Sequence, residues 1–104
     1  MQDDALEIEV GDVQQLEGLR LIDIRTADEV AVAPMLGDVE HIPMDQLVNT
    51  PAVLAPEDAT VLVCAAGVRS TMAAKWFRKR GVHSVYSLIG GQPAWNEFVS
   101  AQAG

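Results

Sequence analysis

Apolar and polar residues are distributed along this chain with two different periods. Residues Leu6 to Val10 alternate between apolar and acidic side chains, which is typical of a half-buried strand at the edge of a sheet. Three further segments are mostly apolar, have the length of buried strands and are bounded by turn-forming residues. These segments are Leu19–Ile24, Thr60–Cys64 and Ser84–Leu88. Segments with helical periodicity lie between these strands. The chain is therefore predicted to form an α/β fold whose mainly parallel central sheet is flanked by helices on both faces.

Two of the intervening helices have clear boundary signals. Thr26, followed three residues later by Glu29, has the sequence of a capping box and predicts a helix over Ala27–Val32. The segment Ser70–Arg80 is the strongest helical segment, and Gly81 supplies its stop. The apolar residues predicted to share one face of this helix are Ala73, Trp76 and Phe77.

The remaining elements have weaker signals. Asp12 is predicted to cap a short helix that runs through Glu17 and ends at Gly18. A short extended piece is expected over Val39–Ile42, and a helical turn over Asp45–Asn49. The last helix is predicted to carry Pro93 in its first turn. The residues of this helix that should face the core are Trp95, Phe98 and Val99.

Composition limits the class of protein. The 104 residues are predicted to form one domain, and 49% of them are apolar while 21% are charged, as in ordinary globular proteins. A single cysteine excludes an internal disulfide, and with two histidines it cannot supply a usual zinc site without carboxylates, so neither a metal nor a cofactor is expected. No apolar run reaches the ~20 residues of a membrane span, and the acidic start lacks the features of a secretory signal. A reduced, cytoplasmic protein with no membrane partner is expected.

Charge is unevenly divided. The net charge of −8 disfavours nucleic acid as a partner. Residues 1–58 contain 14 acids and two bases, giving −12, whereas residues 59–104 contain five bases and one acid, giving +4. All five of those bases lie between Arg69 and Arg80. They form either an ordinary solvated helix face or a local positive field that attracts a small anion to the neighbouring Cys64.

The segment Cys64-Ala65-Ala66-Gly67-Val68-Arg69-Ser70 is the candidate active site. The preceding strand delivers Cys64 to the carboxyl edge of a parallel sheet, where ligands bind in open α/β folds. Small residues and a glycine let successive backbone N–H groups converge, and the positive end of the next helix adds to the resulting anion-binding cup. A thiol in such a cup should have a lowered pKa. A cysteine that ends an apolar strand can instead be an inert core residue, but the glycine, arginine and serine that follow favour a reactive one.

Each residue of this segment has a predicted role. Cys64 is the candidate nucleophile, and Arg69 is predicted to hold an oxyanion through two hydrogen bonds. Ser70 or Thr71 is expected to hydrogen-bond the sulfur or to cap the helix. The candidate substrate-binding residues are Ala65, Ala66, Gly67, Val68 and Ser70. His41 and His83 are interpreted as structural, Asp23 and Arg25 as a structural ion pair, and Trp76 and Trp95 as packing residues.

Four segments together resemble the rhodanese (thiosulfate sulfurtransferase) homology family in its small single-domain form. These segments are residues 21–25 (LIDIR), 41–44 (HIPM), 64–70 (CAAGVRS) and 87–95 (SLIGGQPAW). The resemblance implies a sulfurtransferase that moves a sulfane sulfur from a small anionic donor such as thiosulfate, through a persulfide on Cys64, to an acceptor. With one cysteine in the chain, the acceptor must be external: cyanide, a small thiol or a protein thiol.

The resemblance also bears on the alternatives to a sulfurtransferase function. The family's sulfurtransferase loop places four residues between cysteine and arginine, as here, whereas the related phosphatases and arsenate reductases have a longer loop. A phosphatase or arsenate reductase is therefore disfavoured. The main alternative is a non-enzymatic rhodanese-like module that binds a protein partner or delivers sulfur within a complex. Two departures from the family pattern concern Ala65, where a basic residue is often found, and residues 34–38, where the usual loop sequence is altered.

Overall fold

The computed structural model describes residues 5–16, 19–54 and 57–103. Within these ranges, the chain forms a five-stranded sheet in the order β1-β5-β4-β2-β3. The four strand pairings among these residues are all parallel. The strands are β1 (Glu7–Ile8), β2 (Arg20–Asp23), β3 (Glu40–His41), β4 (Thr60–Val63) and β5 (Val85–Leu88). The predicted fold class is confirmed, and β1 lies at the edge of the sheet as expected, although it is shorter than Leu6–Val10.

In the part of the chain that the structure describes, five α-helices connect and cover the strands. They are α1 (Val10–Val13), α2 (Ala27–Val32), α3 (Met44–Asn49), α4 (Val68–Arg78) and α5 (Gly91–Ala103). A 3₁₀ turn over Pro51–Val53 follows α3. None of the helices in the described ranges is long and apolar enough to cross a membrane.

The core has two halves, one on each face of the sheet. Successive residues of a strand point to opposite faces, so Ile22 and Leu62 pack with Phe77 of α4, whereas Leu21 and Val61 belong to the other half. These five side chains are at most 6% exposed. Helices α3 and α4 contribute buried residues to the first half, while α1 and α5 pack on the second. The sheet is thus covered on both faces, as a parallel sheet requires.

The predicted starts of two helices were too late, by three residues for α1 and by two for α4. Helix α1 begins at Val10, and Asp12 lies inside it rather than capping it, because the N–H of Asp12 already donates to the carbonyl of Glu9 at 3.0 Å. The predicted end of this helix falls outside the described residues. Helix α4 begins at Val68 rather than Ser70, because Gly67 adopts a φ of 103° and turns the chain directly into the helix. This earlier start brings Arg69 and Ser70 into the first turn.

The segment between α2 and β3 is held to the rest of the fold by side chains. The Asn96 amide donates to the carbonyl of Pro34 at 2.8 Å, and its oxygen accepts from the N–H of Leu36 at 2.9 Å. The indole N–H of Trp95 donates to the carbonyl of Leu36 at 2.8 Å. The altered 34–38 region is therefore fastened to α5, and Trp95 has the structural role predicted for it.

Asp23 and Arg25 form the predicted ion pair at the end of β2. Both are almost fully buried, with a shortest N–O distance of 2.8 Å, and Arg25 also donates to the carbonyl of Ala33. The ring of His41 lies 2.8 Å from the carbonyl of Arg25, in keeping with a structural role. His83 lies exposed in the turn before β5.

Candidate active site

Cys64 lies immediately beyond the carboxyl end of β4. That strand lies between β2 and β5, so Cys64 lies at the middle of the sheet edge where ligands bind in open α/β folds. Its side chain is only 1% exposed. Residues 65–67 form the turn into α4, and the helix N-terminus therefore lies next to the sulfur.

The sulfur of Cys64 is surrounded by hydrogen-bond donors from this turn. The N–H of Gly67 donates to Sγ at 3.1 Å, and the N–H of Ser70 donates at 3.4 Å. The hydroxyl of Ser70 also lies 3.4 Å from Sγ. Since these donors come from the first turn of α4 and the residue before it, they combine with the positive end of the helix to favour a negative sulfur.

The pKa of Cys64 reflects two opposing influences. Burial raises the pKa of the thiol, while hydrogen bonds from the Ser70 hydroxyl and from the N–H groups of Ser70, Ala66 and Gly67 lower it. The hydrogen bonds outweigh burial, and the pKa falls below its ordinary value. The cup itself therefore promotes formation of the thiolate, without a histidine acting as base.

The remaining residues of the loop present backbone rather than side chains to the sulfur. The side chains of Ala65, Ala66 and Val68 are exposed, the last to 69%. Of the residues predicted to bind substrate, Gly67 and Ser70 hydrogen-bond the sulfur at the distances given above, and the N–H of Ala66 contributes to lowering the pKa of Cys64. The assignment of all five as substrate-binding residues stays a prediction.

Arg69 is paired with a residue that the sequence did not connect to the site. Its two terminal nitrogens donate to the two carboxylate oxygens of Glu29, both at 2.8 Å. Each side chain is about one-third exposed, at 36% and 35%. In this arrangement Glu29 occupies the fork formed by the two terminal nitrogens, so an oxyanion held by Arg69 through two hydrogen bonds must either replace this carboxylate or bind the edge formed by Nε–H and a second terminal N–H.

Glu29 has two partners: Arg69, which connects α2 to the first turn of α4, and Thr26, the N-cap residue of α2 itself. The Arg69 guanidinium and the N–H of Thr26 lower the pKa of Glu29 to about 2. The contact with Thr26 is the predicted capping box, which is fully formed. The sequence identified Glu29 only as a capping residue, because its pairing with Arg69 spans 40 positions along the chain.

Glu29→Gln is expected to weaken the dependence of stability on pH. The unfolded carboxyl, with a pKa near 4.5, takes up a proton before the folded one as the pH falls. The stabilisation by ionised Glu29 is therefore present above about pH 4.5 and is lost as the pH falls through about 2. Glutamine keeps a capping side chain but cannot titrate, so urea unfolding between pH 5 and pH 2 should show a shallower decline than in the wild type.

Arg69→Gln is the matched variant, because it removes the main partner and leaves the capping box in place. It should flatten the same pH dependence in part, and the double variant should be no flatter than Glu29→Gln alone. A Glu29→Gln protein that loses stability with the wild-type slope would contradict this role of the pair.

The Gly90-Gly91 turn supports the loop from α5. Gly91 has a φ of 63°, and a Cβ at this position would lie 2.5 Å from the carbonyl oxygens of both Cys64 and Ala65. The N–H of Gln92 donates to the same Cys64 carbonyl at 2.9 Å. The backbone of the loop thus rests directly on the start of α5, at a distance that only glycine permits.

An open groove of about 480 Å³ lies beside the loop. Ala65 and Gln92 line it on the loop side. The residues on the α2 side are Arg25, Asp28, Glu29, Val32 and Ala33. Within the described ranges, no cluster of three or more histidine, cysteine, aspartate or glutamate side chains could hold a metal ion.

Comparisons with known proteins agree with this geometry. A family model described as the rhodanese-like domain matches residues 7–98. The chain is 32% identical over 103 residues to thiosulfate sulfurtransferase GlpE of Pseudomonas aeruginosa, covering 97% of this chain and 93% of that protein. It is also 32% identical over 79 residues to the putative sulfur carrier protein YrkF of Bacillus subtilis, which is 76% of this chain but only 42% of YrkF.

A solved structure shares the fold. The human single-domain sulfurtransferase TSTD1 superposes with a TM-score of 0.76 at 23% identity, covering 89% of this chain and 96% of that one. At this identity the likeness concerns the fold alone, while the family model and GlpE carry the assignment. The family model spans the strand, the turn at Cys64 and the helix described above, and the chain belongs to the rhodanese-like domain family.

Proposed function

We propose that this chain is a sulfurtransferase that carries a sulfane sulfur as a persulfide on Cys64. The donor is a small anion such as thiosulfate, and the acceptor is cyanide, a small thiol or a protein thiol. The observation that carries the proposal is the cup around Cys64, in which two N–H groups and one hydroxyl lie within hydrogen-bonding distance of the sulfur. The chain is proposed to act as one domain.

The reaction has two displacement steps. The Cys64 thiolate attacks the outer sulfur of thiosulfate, a new S–S bond forms, and the original S–S bond breaks with its electron pair leaving on sulfite. The loop N–H groups then stabilise the anionic persulfide. Cyanide attacks the outer sulfur, the C–S bond forms, and the electron pair of the cysteinyl S–S bond returns to Cys64 as thiolate. The acceptor comes from outside because the chain has no second cysteine.

The geometry supports sulfur chemistry over phosphate chemistry. The N–H groups of Gly67 and Ser70 are directed at the cysteine sulfur, and the side chain of Cys64 is almost fully buried. A tetrahedral phosphate needs several free donors around it in front of the nucleophile. The short loop, with four residues between Cys64 and Arg69, favours the single sulfur atom.

Initial-rate kinetics test this proposal. With thiosulfate and cyanide both varied, the persulfide route predicts parallel double-reciprocal lines, because sulfite leaves before cyanide reacts. Thiocyanate is the product to be measured. Converging lines would contradict a covalent intermediate, and hydrolysis of an aryl phosphate that depends on Cys64 would contradict the assignment to sulfur transfer.

A second candidate function is delivery of sulfur to a protein partner with little free turnover. Exposed apolar side chains beside the loop favour it, namely Val32 at 87%, Val68 at 69% and Met72 at 59%. This alternative predicts that Cys64 takes up one sulfur per chain from thiosulfate but passes it slowly to cyanide. Rapid turnover with cyanide would exclude it as the main function.

A further inference from the structure

A chain of three hydroxyl groups leads away from the cysteine sulfur into the fold. The Ser70 hydroxyl, 3.4 Å from Sγ of Cys64, lies 2.6 Å from the hydroxyl of Ser87. The Thr71 hydroxyl donates to Ser87 at 3.0 Å. Ser87 belongs to β5, opposite Leu62 of β4, and is completely buried. Neither Ser87 nor Thr71 touches the sulfur, so the mechanism above does not use them.

Each hydroxyl in this series can donate only one hydrogen bond, and this limit determines which hydroxyl donates to which. Each hydroxyl has one proton, and the proton of Thr71 is directed to Ser87. Ser87 then has the Ser70 oxygen at 2.6 Å and the carbonyl of Gly67 at 3.5 Å as acceptors, and the shorter contact is the stronger one. With its oxygen accepting from Ser87, Ser70 has its own proton available for the sulfur.

The competing acceptor explains why this direction matters. The carbonyl of Gly67 lies 3.3 Å from the Ser70 hydroxyl, about as near as the sulfur at 3.4 Å. The carbonyl already accepts the N–H of Thr71 at 3.1 Å, whereas Ser87, at 2.6 Å, would be the nearest acceptor of the Ser70 proton if the donation from Thr71 did not direct the proton of Ser87 to Ser70. A donor that has already been oriented stabilises a charge without reorganising as the charge forms.

We propose that Ser87 and Thr71 are positioning residues, whose hydroxyls direct the proton of Ser70 onto the sulfur of Cys64. The proposal rests on the proposed function for its catalytic consequence. The ionisation of Cys64 can be measured without any sulfur transfer, however, so an experiment can refute the role of the hydroxyl groups without refuting the proposed function, or the reverse. Among the described residues, the charged groups that face the site are Arg69 on α4, Glu29 on α2 and the Asp23–Arg25 pair at the end of β2. All four remain in place in the variants below.

The pH profile of alkylation by iodoacetamide tests the proposal. Cys64 is the only cysteine, so the reaction reports on this thiol alone. A hydrogen bond to a charged group contributes enough that losing it should reduce the thiolate fraction by roughly tenfold below the midpoint of the profile. Ser87→Ala, in which Ser70 keeps its hydroxyl but loses the group that orients it, should therefore be alkylated more slowly at low pH, by up to roughly tenfold, and at the wild-type rate once the thiol is fully ionised.

Conservative variants separate positioning from packing. Thr71→Val preserves shape and removes the hydroxyl, so its profile should shift in the same direction by a smaller amount, whereas Thr71→Ser should restore the wild-type profile. Ser84→Ala, at a serine before β5 whose hydroxyl donates to the carbonyl of Asp58, should leave the profile unchanged. If Ser87→Ala does not fold, the two Thr71 variants still decide the question.

Two results would overturn the proposal. The first is a wild-type profile in both Ser87→Ala and Thr71→Val, and the second is a uniform slowing at every pH, which would mean a distorted loop rather than a less ionised thiol. A shifted profile in a protein that forms no persulfide would uphold the hydroxyl chain and refute the proposed function instead.

Discussion

Cys64→Ser is expected to abolish sulfur transfer while leaving the fold intact. The serine hydroxyl fits the same buried position and can accept from Gly67 and Ser70. It remains protonated, however, because the cup that lowers the pKa of a thiol is far too weak to ionise an alcohol. Thiocyanate formation should fall by roughly 10³-fold or more, since the nucleophile is shared by both steps.

Circular dichroism and thermal unfolding provide the control for this variant, which should stay close to the wild type. Cys64→Ala should be equally inactive, although it leaves a small cavity in the first half of the core and should be somewhat less stable. Transfer activity retained within tenfold in either variant would remove Cys64 from the mechanism.

Gly91→Ala is expected to destabilise the protein and to displace the active-site loop. Two costs combine: the positive φ of 63°, worth about 1–2 kcal/mol for a residue with a Cβ, and overpacking against two carbonyl oxygens, worth about 1–3 kcal/mol. The free energy of unfolding should therefore fall by about 2–5 kcal/mol, measured by urea unfolding. Because the clash falls on the backbone of Cys64 and Ala65, sulfur transfer should be impaired even in the fraction that stays folded.

Gly37→Ala is the matched control for this change. Gly37 also has a positive φ, of 86°, but a Cβ there would meet no atom within 4 Å. The free energy of unfolding of Gly37→Ala should fall only by the conformational cost of the positive φ, about 1–2 kcal/mol, and the variant should keep its sulfur-transfer activity. Equal losses in the two variants would show that the contact between α5 and the loop does not matter.

The sequence was sufficient for the parts of the fold that depend on local signals. The alternation of buried strands and amphipathic helices predicted the parallel sheet, and the Thr26 capping box was correct because its two residues lie within one helical turn. The place of Cys64 at the end of β4 followed in the same way.

The failures have physical reasons of two kinds. Helix α4 was predicted to start too late because the left-handed conformation of Gly67 is set by closure of the loop. The periodicity of apolar residues along the sequence does not indicate this conformation. The contacts Arg69–Glu29 and Ser70–Ser87 join elements distant in the chain, so they depend on strand order and on how α2 and α4 pack. Single-sequence patterns contain no such information, and the arginine's carboxylate partner was therefore missed.

The mass of the intact protein tests the central claim most directly. After treatment with thiosulfate and removal of excess donor, the wild-type chain should be heavier by one sulfur atom, and the added mass should disappear on addition of cyanide. Cys64→Ser should show no change at either step. A wild-type protein that gains no sulfur from thiosulfate or from other small sulfane-sulfur donors, or a Cys64→Ser protein that gains it, would contradict the account.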